Sequence, residues 1–238
     1  MKCVVISQPR YLPAINYLQR LYCADLFVFL DNVQRQSRGW ENRNKILQNN
    51  KETWITIPVS SSSREIINKS VIFGTDWVDE HKNIIRQTYI DHPYFSNEAL
   101  DKCYKDIGSA LILSDYNYAK VITHMLLNIC SFLGFNPNVA LASENSGQST
   151  TGANKLVQII KNVNGDIYVS GANGKKYDVV RAFSANNIKV MFHNYVYPRY
   201  PQYNSMDFHP WMCFFDILFN VGLEKVGQLI KKEWILVE

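Results

Sequence analysis

Residues 2–45 read KCVVISQPRYLPAINYLQRLYCADLFVFLDNVQRQSRGWENRNK, and this stretch decides the fold. Its two apolar runs, residues 3–7 and 26–30, are rich in β-branched and aromatic side chains, which is typical of buried strands. Between them lie a turn with two prolines and a helical segment over residues 14–23. This order predicts a β-turn-α-β unit whose two strands are adjacent and parallel.

Polar side chains follow both predicted strands. The carboxyl ends of parallel strands meet at one edge of a sheet, where the N-termini of the following helices attract anions. We therefore expect a ligand site lined by Gln8, Arg10, Tyr11, Asp31, Asn32 and Gln34. The alternative is a solvated loop that contains a proline turn.

Composition limits the class of protein. With 238 residues, 47% of them hydrophobic, the chain can bury a full core. The 25 Lys and Arg against 21 Asp and Glu leave a charge of +4, which favours phosphorylated ligands but does not indicate nucleic acid. The N-terminus does not read as a signal peptide, and no apolar stretch approaches about 18 residues. We expect a cytoplasmic protein without membrane insertion.

The five cysteines are predicted to be ordinary buried thiols. They stand at positions 3, 23, 103, 130 and 213, an odd number without a CxxC spacing. Disulfide frameworks need paired cysteines and an oxidising compartment, and zinc sites need closely spaced ligands. Neither pattern is present, so we predict no metal site.

A basic segment with a tryptophan follows Asp31. Arginine binds phosphate and an indole ring stacks on a base or a sugar, so the segment predicts substrate contacts. The candidate residues are Arg38, Trp40, Asn42 and Arg43. A basic face covered by a packing tryptophan explains the pattern equally well. Residues 53–59 then alternate and predict a third strand that ends near Pro58.

The middle of the chain has helical periodicity. Helices are predicted from Asp76 to the His92-Pro93 pair, over residues 98–113 and over residues 117–133. We predict one α/β domain over residues 1–238 with a helical insert or subdomain at residues 76–134. His81 on the first of these helices is a candidate proton acceptor, with an ordinary surface histidine as the alternative.

The last third returns to α/β alternation. Strands are predicted over residues 139–142, 166–170 and 188–192, and helices over residues 152–163, 211–221 and 224–232, the last two joined at Gly222. After the second of these strands, glycines allow a ligand close approach and lysines can meet phosphate. The candidates there are Gly171, Gly174, Lys175 and Tyr177, although the spacing is not that of a P-loop and a plain turn is the alternative.

A tyrosine-rich segment precedes the terminal helices. Residues 195–203 read YVYPRYPQY, with four tyrosines and two prolines. Such a rigid aromatic segment could form a wall for a sugar or a base, and Tyr203 is the candidate contact. Packing of the rings against the terminal helices is the other explanation.

Several motifs together resemble one family. They are QPRYLPAINYLQRLYCADLFVFLDNVQ, GWENRNKI, WITIPV, YVSGANGKKY and the closing stretch from YPQY to FDILFNVG. This combination, over nearly the whole chain, resembles the WbqC-like family of bacterial proteins. The resemblance implies a role in surface polysaccharide synthesis, notably of lipopolysaccharide O-antigens with modified amino sugars. Within that pathway, the step we expect is acyl or aminoacyl transfer to an amino sugar.

The N-terminal unit also resembles, more distantly, the opening of nucleotidyltransferases such as pantothenate synthetase. Those enzymes place a proline-containing turn before their first helix. Their HxGH histidines fall on or near Pro13 and Tyr17 of this chain, which departs from the motif there. The resemblance therefore implies the fold without that adenylyl-transfer chemistry.

These observations predict an α/β fold, with a Rossmann-like, mainly parallel sheet flanked by helices and an α-helical insert in the middle of the chain. The function expected is a transferase that joins an acyl or aminoacyl group to a nucleotide-linked amino sugar. Its donor would be an acyl-adenylate, an acyl-CoA or an aminoacyl-tRNA. In this hypothesis a diphosphate contacts Arg38, Arg43 and Lys175, and Asp31 or His81 takes the proton of the attacking amine. The alternative is a non-catalytic module that binds a nucleotide or a glycan.

Overall fold

Strand β1 (Cys3–Ser7) lies in the middle of the main sheet. The structure is a computed structural model that describes residues 1–36, 39–60, 65–145, 151–171, 174 and 179–238. β1 pairs in parallel with β2 (Leu26–Phe29) on one side and with β6 (Ile167–Gly171) on the other. The adjacent parallel strands predicted from residues 2–45 are therefore confirmed.

The main sheet has six strands in the order β5-β2-β1-β6-β7-β8. The outer strands are β5 (Val139–Leu141), β7 (Lys189–His193) and β8 (Leu236–Val237). Every neighbouring pair is parallel except β7 with β8, which is antiparallel. The predicted α/β fold with a mainly parallel sheet is confirmed, whereas the two-residue strand β8 has no periodicity that a sequence can reveal.

Helices cover both faces of this sheet. The central strand β1 directs apolar side chains to each face, and these side chains are buried against the helices. Val5 belongs to the cluster shared with α1 (Ile15–Cys23) and α9 (Phe214–Lys231). Val4 and Ile6 belong to the cluster on the other face, which includes residues of α7 (Gly152–Asn162) and α8 (Val179–Ser184). Burial on two faces explains the uninterrupted apolar run of β1. α9 bends at Gly222, whose φ is 84°, as the sequence predicts.

The central part of the chain is helical, as predicted. Its helices are α2 (Trp77–Tyr89), α3 (Asn97–Cys103), α4 (Ile107–Leu113) and α5 (Tyr118–Phe132), followed after β5 by the short α6 (Ala142–Asn145). The single helix predicted over residues 98–113 is two helices, because Asp106 has a φ of 56° and interrupts it. Apolar residues of this insert share the cluster of α1 and α9. The division into domains stays a prediction.

A β-hairpin stands apart from the main sheet. β3 (Arg43–Gln48) and β4 (Lys51–Thr56) pair antiparallel around Asn49-Asn50, where φ is 50° and 58°. Positive φ at both central residues is the geometry of the tight turns that join hairpin strands. The strand predicted over residues 53–59 thus begins earlier, and its partner β3 escaped prediction because its charged and amide side chains do not alternate with apolar ones.

None of the helices in the described part of the chain combines the length and the apolar composition needed to cross a membrane.

Asp216, in the first turn of α9, is a buried carboxylate that joins three segments. It accepts hydrogen bonds from the Tyr200 hydroxyl at 2.7 Å, the Gln202 amide at 2.9 Å and the Tyr89 hydroxyl at 3.2 Å. Burial raises the pKa of Asp216, and these three donors oppose that rise. The carboxylate therefore ties the tyrosine-rich segment and α2 to the start of α9.

We expect Asp216→Ala to lower the free energy of unfolding by about 3–5 kcal/mol, because it leaves three buried donors without an acceptor. Asp207→Ala is the matched control, since Asp207 is exposed. Urea unfolding of both variants measures the difference. A loss below about 1 kcal/mol for Asp216→Ala would mean that water replaces the carboxylate at this position.

Candidate functional site

A cavity of about 520 Å³ lies outside the carboxyl ends of β1, β6 and β7. Ser7, Gly171 and His193 contribute the ends of these strands, and Pro13, Ala14, Asn16, Tyr17 and Arg20 contribute the turn before α1 and its first turns. The remaining wall comes from loops and from the edge of the hairpin. It includes Arg10, Trp40, Asn44, Gly174, Asn194, Tyr195 and Trp211.

The strand order places this cavity where α/β sheets bind ligands. From β1 the chain adds β2 and β5 on one side, and then β6 and β7 on the other. The order is that of dinucleotide-binding Rossmann sheets, and the connections reverse direction between β1 and β6. Ligands bind in the crevice at this switch point, and the cavity has the volume of a typical small-molecule site.

Two arginines give the cavity its charge. The guanidinium carbons of Arg10 and Arg20 lie 5.9 and 5.3 Å from the centre of the Tyr17 ring. Arg20 is only 7% exposed, and its Nε is buried without a hydrogen-bond partner. Burial, and then the charge of Arg10, lower the pKa of Arg20 to about 10, so it stays a cation at neutral pH. Among the described residues that line the cavity, none is Asp or Glu.

Aromatic rings form part of the wall. Trp40 and Trp211 are 36% and 41% exposed, which leaves part of each indole open to a ligand. Trp40 packs against Trp54 at 4.8 Å between ring centres, and Arg43 lies 4.2 Å from the centre of the Trp54 ring. Large, partly exposed rings beside cationic groups are suited to stacking on a base or a sugar.

Hydrogen bonds to backbone carbonyls hold the loops of the cavity together. The side-chain amide of Asn44 donates to the Leu12 carbonyl at 2.5 Å, and the backbone N–H of Phe214 donates to the Pro13 carbonyl at 3.1 Å. Leu12 and Trp211 have φ values of 40° and 66°, which are unusual for bulky residues. Strained backbone of this kind concentrates at functional sites, where surrounding contacts hold it in place.

His193 presents a neutral imidazole to the cavity. Its Nε2 lies 2.9 Å from Gln19 Oε1, and the Gln19 amide donates to the Lys232 carbonyl at 3.1 Å. Gln19 thus offers its oxygen as the acceptor, so Nε2 carries the proton of His193. Burial, and then the charge of Arg20, lower the pKa of His193 to about 4. The imidazole can accept a hydrogen bond from a ligand at Nδ1.

The two predicted proton acceptors lie outside the lining of this cavity. Asp31 is buried, and its oxygens accept the Ser143 N–H at 2.8 Å and the Ser143 hydroxyl at 2.6 Å, at the start of α6. His81 Nδ1 lies 2.8 Å from the Tyr11 hydroxyl, and burial lowers the pKa of His81 to about 4. Their role as bases stays a prediction, and no contact with the cavity supports it.

Of the other predicted contacts, the structure brings four to the cavity: Arg10, Trp40, Gly171 and Gly174. Arg38, Lys175 and Tyr177 lie outside the described residues. The remaining candidates do not line the cavity. Tyr11 is fully buried, Gln34 is exposed, and the backbone carbonyl of Gln8 accepts a hydrogen bond from Tyr17. The Asn42 amide donates to the Ile57 carbonyl, Arg43 lies over the Trp54 ring, and Tyr203 packs on His92. Asn32 donates to the Ala142 carbonyl.

The sequence reasoning missed several residues of the site, chiefly Arg20 and His193. Arg20 follows Tyr17 by three positions, so the two share a face of α1. An arginine on the apolar face of a helix that follows strand one is a signal that could have been used. His193 closes a strand parallel to β1, and its place beside Arg20 comes from β6 and β7 pairing in register. No cluster of three or more metal-ligating side chains occurs within the described residues.

Fold and site together define a Rossmann-type α/β protein with a cationic and aromatic cavity at its switch point. The chain belongs to the WbqC-like protein family, whose model matches residues 8–228. It is also 30% identical over 235 residues to "Uncharacterized protein Rv1507c" of Mycobacterium tuberculosis (strain ATCC 25618 / H37Rv), covering 96% of this chain and 98% of that protein. No solved structure matches the chain at a significant level.

The buried histidines predict how stability depends on pH. The pKa values of His81 and His193 are lowered from 6.5 to about 4, so the unfolded chain binds more protons between these values. The contribution of the two neutral histidines to the free energy of unfolding is complete above pH 6.5. As the pH falls towards 4, this contribution decreases by roughly 3 kcal/mol for each histidine. Urea unfolding across this range should show the fall, and His81→Gln should reduce it while His124→Gln, at a half-buried surface position, should not.

Proposed function

We propose that this chain is a transferase of bacterial surface polysaccharide synthesis that N-acylates or aminoacylates a nucleotide-linked amino sugar in the cytoplasm. The cationic and aromatic cavity at the switch point carries the proposal. Its position is where open α/β sheets bind nucleotides, and its walls match the charged and ring-bearing parts of such a ligand. Membership of the WbqC-like family supports the pathway.

The lining residues support one orientation of the ligand. Trp40 and Trp211 would stack on the base or the sugar, since both indoles are partly exposed. The phosphates would lie towards Arg10 and Arg20, the cations of the lining. Arg43 remains a candidate for a further phosphate contact, as do Arg38 and Lys175, which fall outside the described residues.

The proposed reaction forms an amide. The amine nitrogen of the sugar attacks the carbonyl carbon of the activated donor, and the bond from that carbon to the leaving group breaks. The leaving group is AMP, CoA or the tRNA 3′ hydroxyl, according to the donor. The attacking amine loses a proton to a base, a step that typically contributes 100- to 10,000-fold to the rate. Direct attack needs no covalent intermediate on the protein.

A second function has its own observation. Asp31 is hydrogen-bonded to Ser143 and His81 to Tyr11, and neither predicted base is among the described residues that line the cavity. A cavity without these groups would serve a non-catalytic module that binds a nucleotide or a glycan during polysaccharide assembly. The two functions share the ligand and differ in the chemistry.

Amide formation separates the two functions. The purified protein is incubated with a nucleotide-linked 4-amino-4,6-dideoxy sugar and, in turn, an acyl-adenylate, an acyl-CoA or an aminoacyl-tRNA. With one donor class, we expect the mass of the sugar nucleotide to increase by the mass of the parent acid less one water. The corresponding 4-hydroxy sugar nucleotide is the control, because it has no amine. Unchanged mass with all three donors, together with binding of the sugar nucleotide, would establish the binding module instead.

We expect Trp40→Ala to weaken binding of the sugar nucleotide by about 10- to 100-fold, because stacking on an aromatic side chain contributes about 1–3 kcal/mol per base. Tyr22→Ala is the matched control, since Tyr22 is similarly exposed, at 38%, but does not line the cavity. Calorimetric titration measures both affinities. Equal losses in the two variants would count against stacking on Trp40.

A further inference from the structure

Arg20 carries a buried positive charge that no carboxylate of the described residues neutralises. Its side chain has neither an ion pair nor a hydrogen bond with them, and its Nε is sealed from solvent. A polar group buried in this way is costly unless it is paired, and an ionised group more so. In a chain without a ligand, Arg20 therefore lowers the free energy of unfolding.

The surroundings of Arg20 increase this cost. Arg10 adds a second positive charge beside the same Tyr17 ring, and the nearby His193 is neutral. The other titratable groups that act on Arg20 are the hydroxyls of Tyr17 and Tyr168, whose pKa values are raised by burial, so they carry no negative charge at neutral pH. No described residue therefore supplies the negative charge that Arg20 and Arg10 lack, whereas an anionic ligand in the cavity would supply it.

We propose that Arg20 and Arg10 together bind the diphosphate of a nucleoside diphosphate ligand at the switch point. This inference rests on the proposed function only for the identity of the sugar, and it holds for an enzyme and for a binding module alike. Arginine presents a planar fork of donors that matches the oxygens of a phosphoryl group. Two cations without a protein carboxylate match the charge of a diphosphate ligand. A ligand with a single carboxylate would leave one of the two cations unneutralised.

The end of β6 leaves room for this ligand. A Cβ placed on Gly171 would lie 3.3 Å from Arg20 Nη1, so a side chain there would crowd the guanidinium. Glycine at this position keeps the fork accessible from the strand end, and the cavity reaches both residues. The same geometry explains why the last residue of this strand lacks a side chain.

Arg20→Met tests the proposal with UDP, ADP and inorganic pyrophosphate as probes. In the parent protein we expect each probe to bind in calorimetric titration and to raise the melting temperature, with affinity falling as salt is added. Arg20→Met should lose about 10- to 100-fold in affinity. Its melting temperature without a probe should equal or exceed that of the parent, because an unpaired buried charge is gone.

Two further variants complete the test. Arg181→Met removes an exposed arginine of α8 that does not line the cavity, and it should leave the affinity unchanged. Arg20→Lys keeps the charge without the fork and should lose less affinity than Arg20→Met. If Arg20→Met melts well below the parent protein and binds the probes with unchanged affinity, Arg20 has a structural role and the proposal is overturned. Binding of acetate or citrate in preference to all three probes would also overturn it.

The outcome is separable from that of the proposed function. Probe binding that depends on Arg20, in a protein that forms no amide, would support the diphosphate site and remove the transferase. If the protein forms the amide and Arg20→Met does not change the KM for the sugar nucleotide, the transferase is supported and the diphosphate site is overturned.

Discussion

Strand β1 is hydrogen-bonded on both edges and buried on both faces, and the rest of the structure depends on this constraint. Its parallel neighbours are β2 and β6, and its side chains alternate between two apolar clusters. A shift of one residue would exchange every side chain between the clusters, so the register is strongly determined. The end of the strand at Ser7, and with it the position of the following turn, is determined by the same packing.

This constraint also explains where polar and strained groups occur. Parallel strands end at one edge, so the ends of β1, β6 and β7 gather around the cavity. The positive φ values of Leu12 and Trp211, each costing about 1–3 kcal/mol, occur in the loops at this edge. Hydrogen bonds from the hairpin and from α9 to the turn before α1 offset that cost. A buried arginine fits the same pattern, in which local rules are broken at a site and compensated elsewhere.

The cavity and the predicted bases illustrate two uses of a buried polar residue. Asp31 follows a strand, as a catalytic carboxylate often does, but its oxygens receive two hydrogen bonds from the first turn of α6. Arg20 has no such partner. The difference between them is hydrogen-bond satisfaction, because a satisfied buried group stabilises the fold and an unsatisfied one costs free energy.

The sequence by itself determined the class of fold, the pairing of β1 with β2, the helical middle and the break at Gly222. These features follow from local periodicity and from single residues with special backbone geometry. It also indicated Arg10, Gly171 and Gly174, because they follow predicted strands, and Trp40, because it lies in a basic segment. Only the tertiary structure decided that Asp31 and His81 lie away from the cavity and that Arg20 and His193 lie in it. The physical reason is that side-chain partners distant in sequence, such as Ser143 for Asp31 and Gln19 for His193, are set by the order and register of strands, which no local pattern encodes.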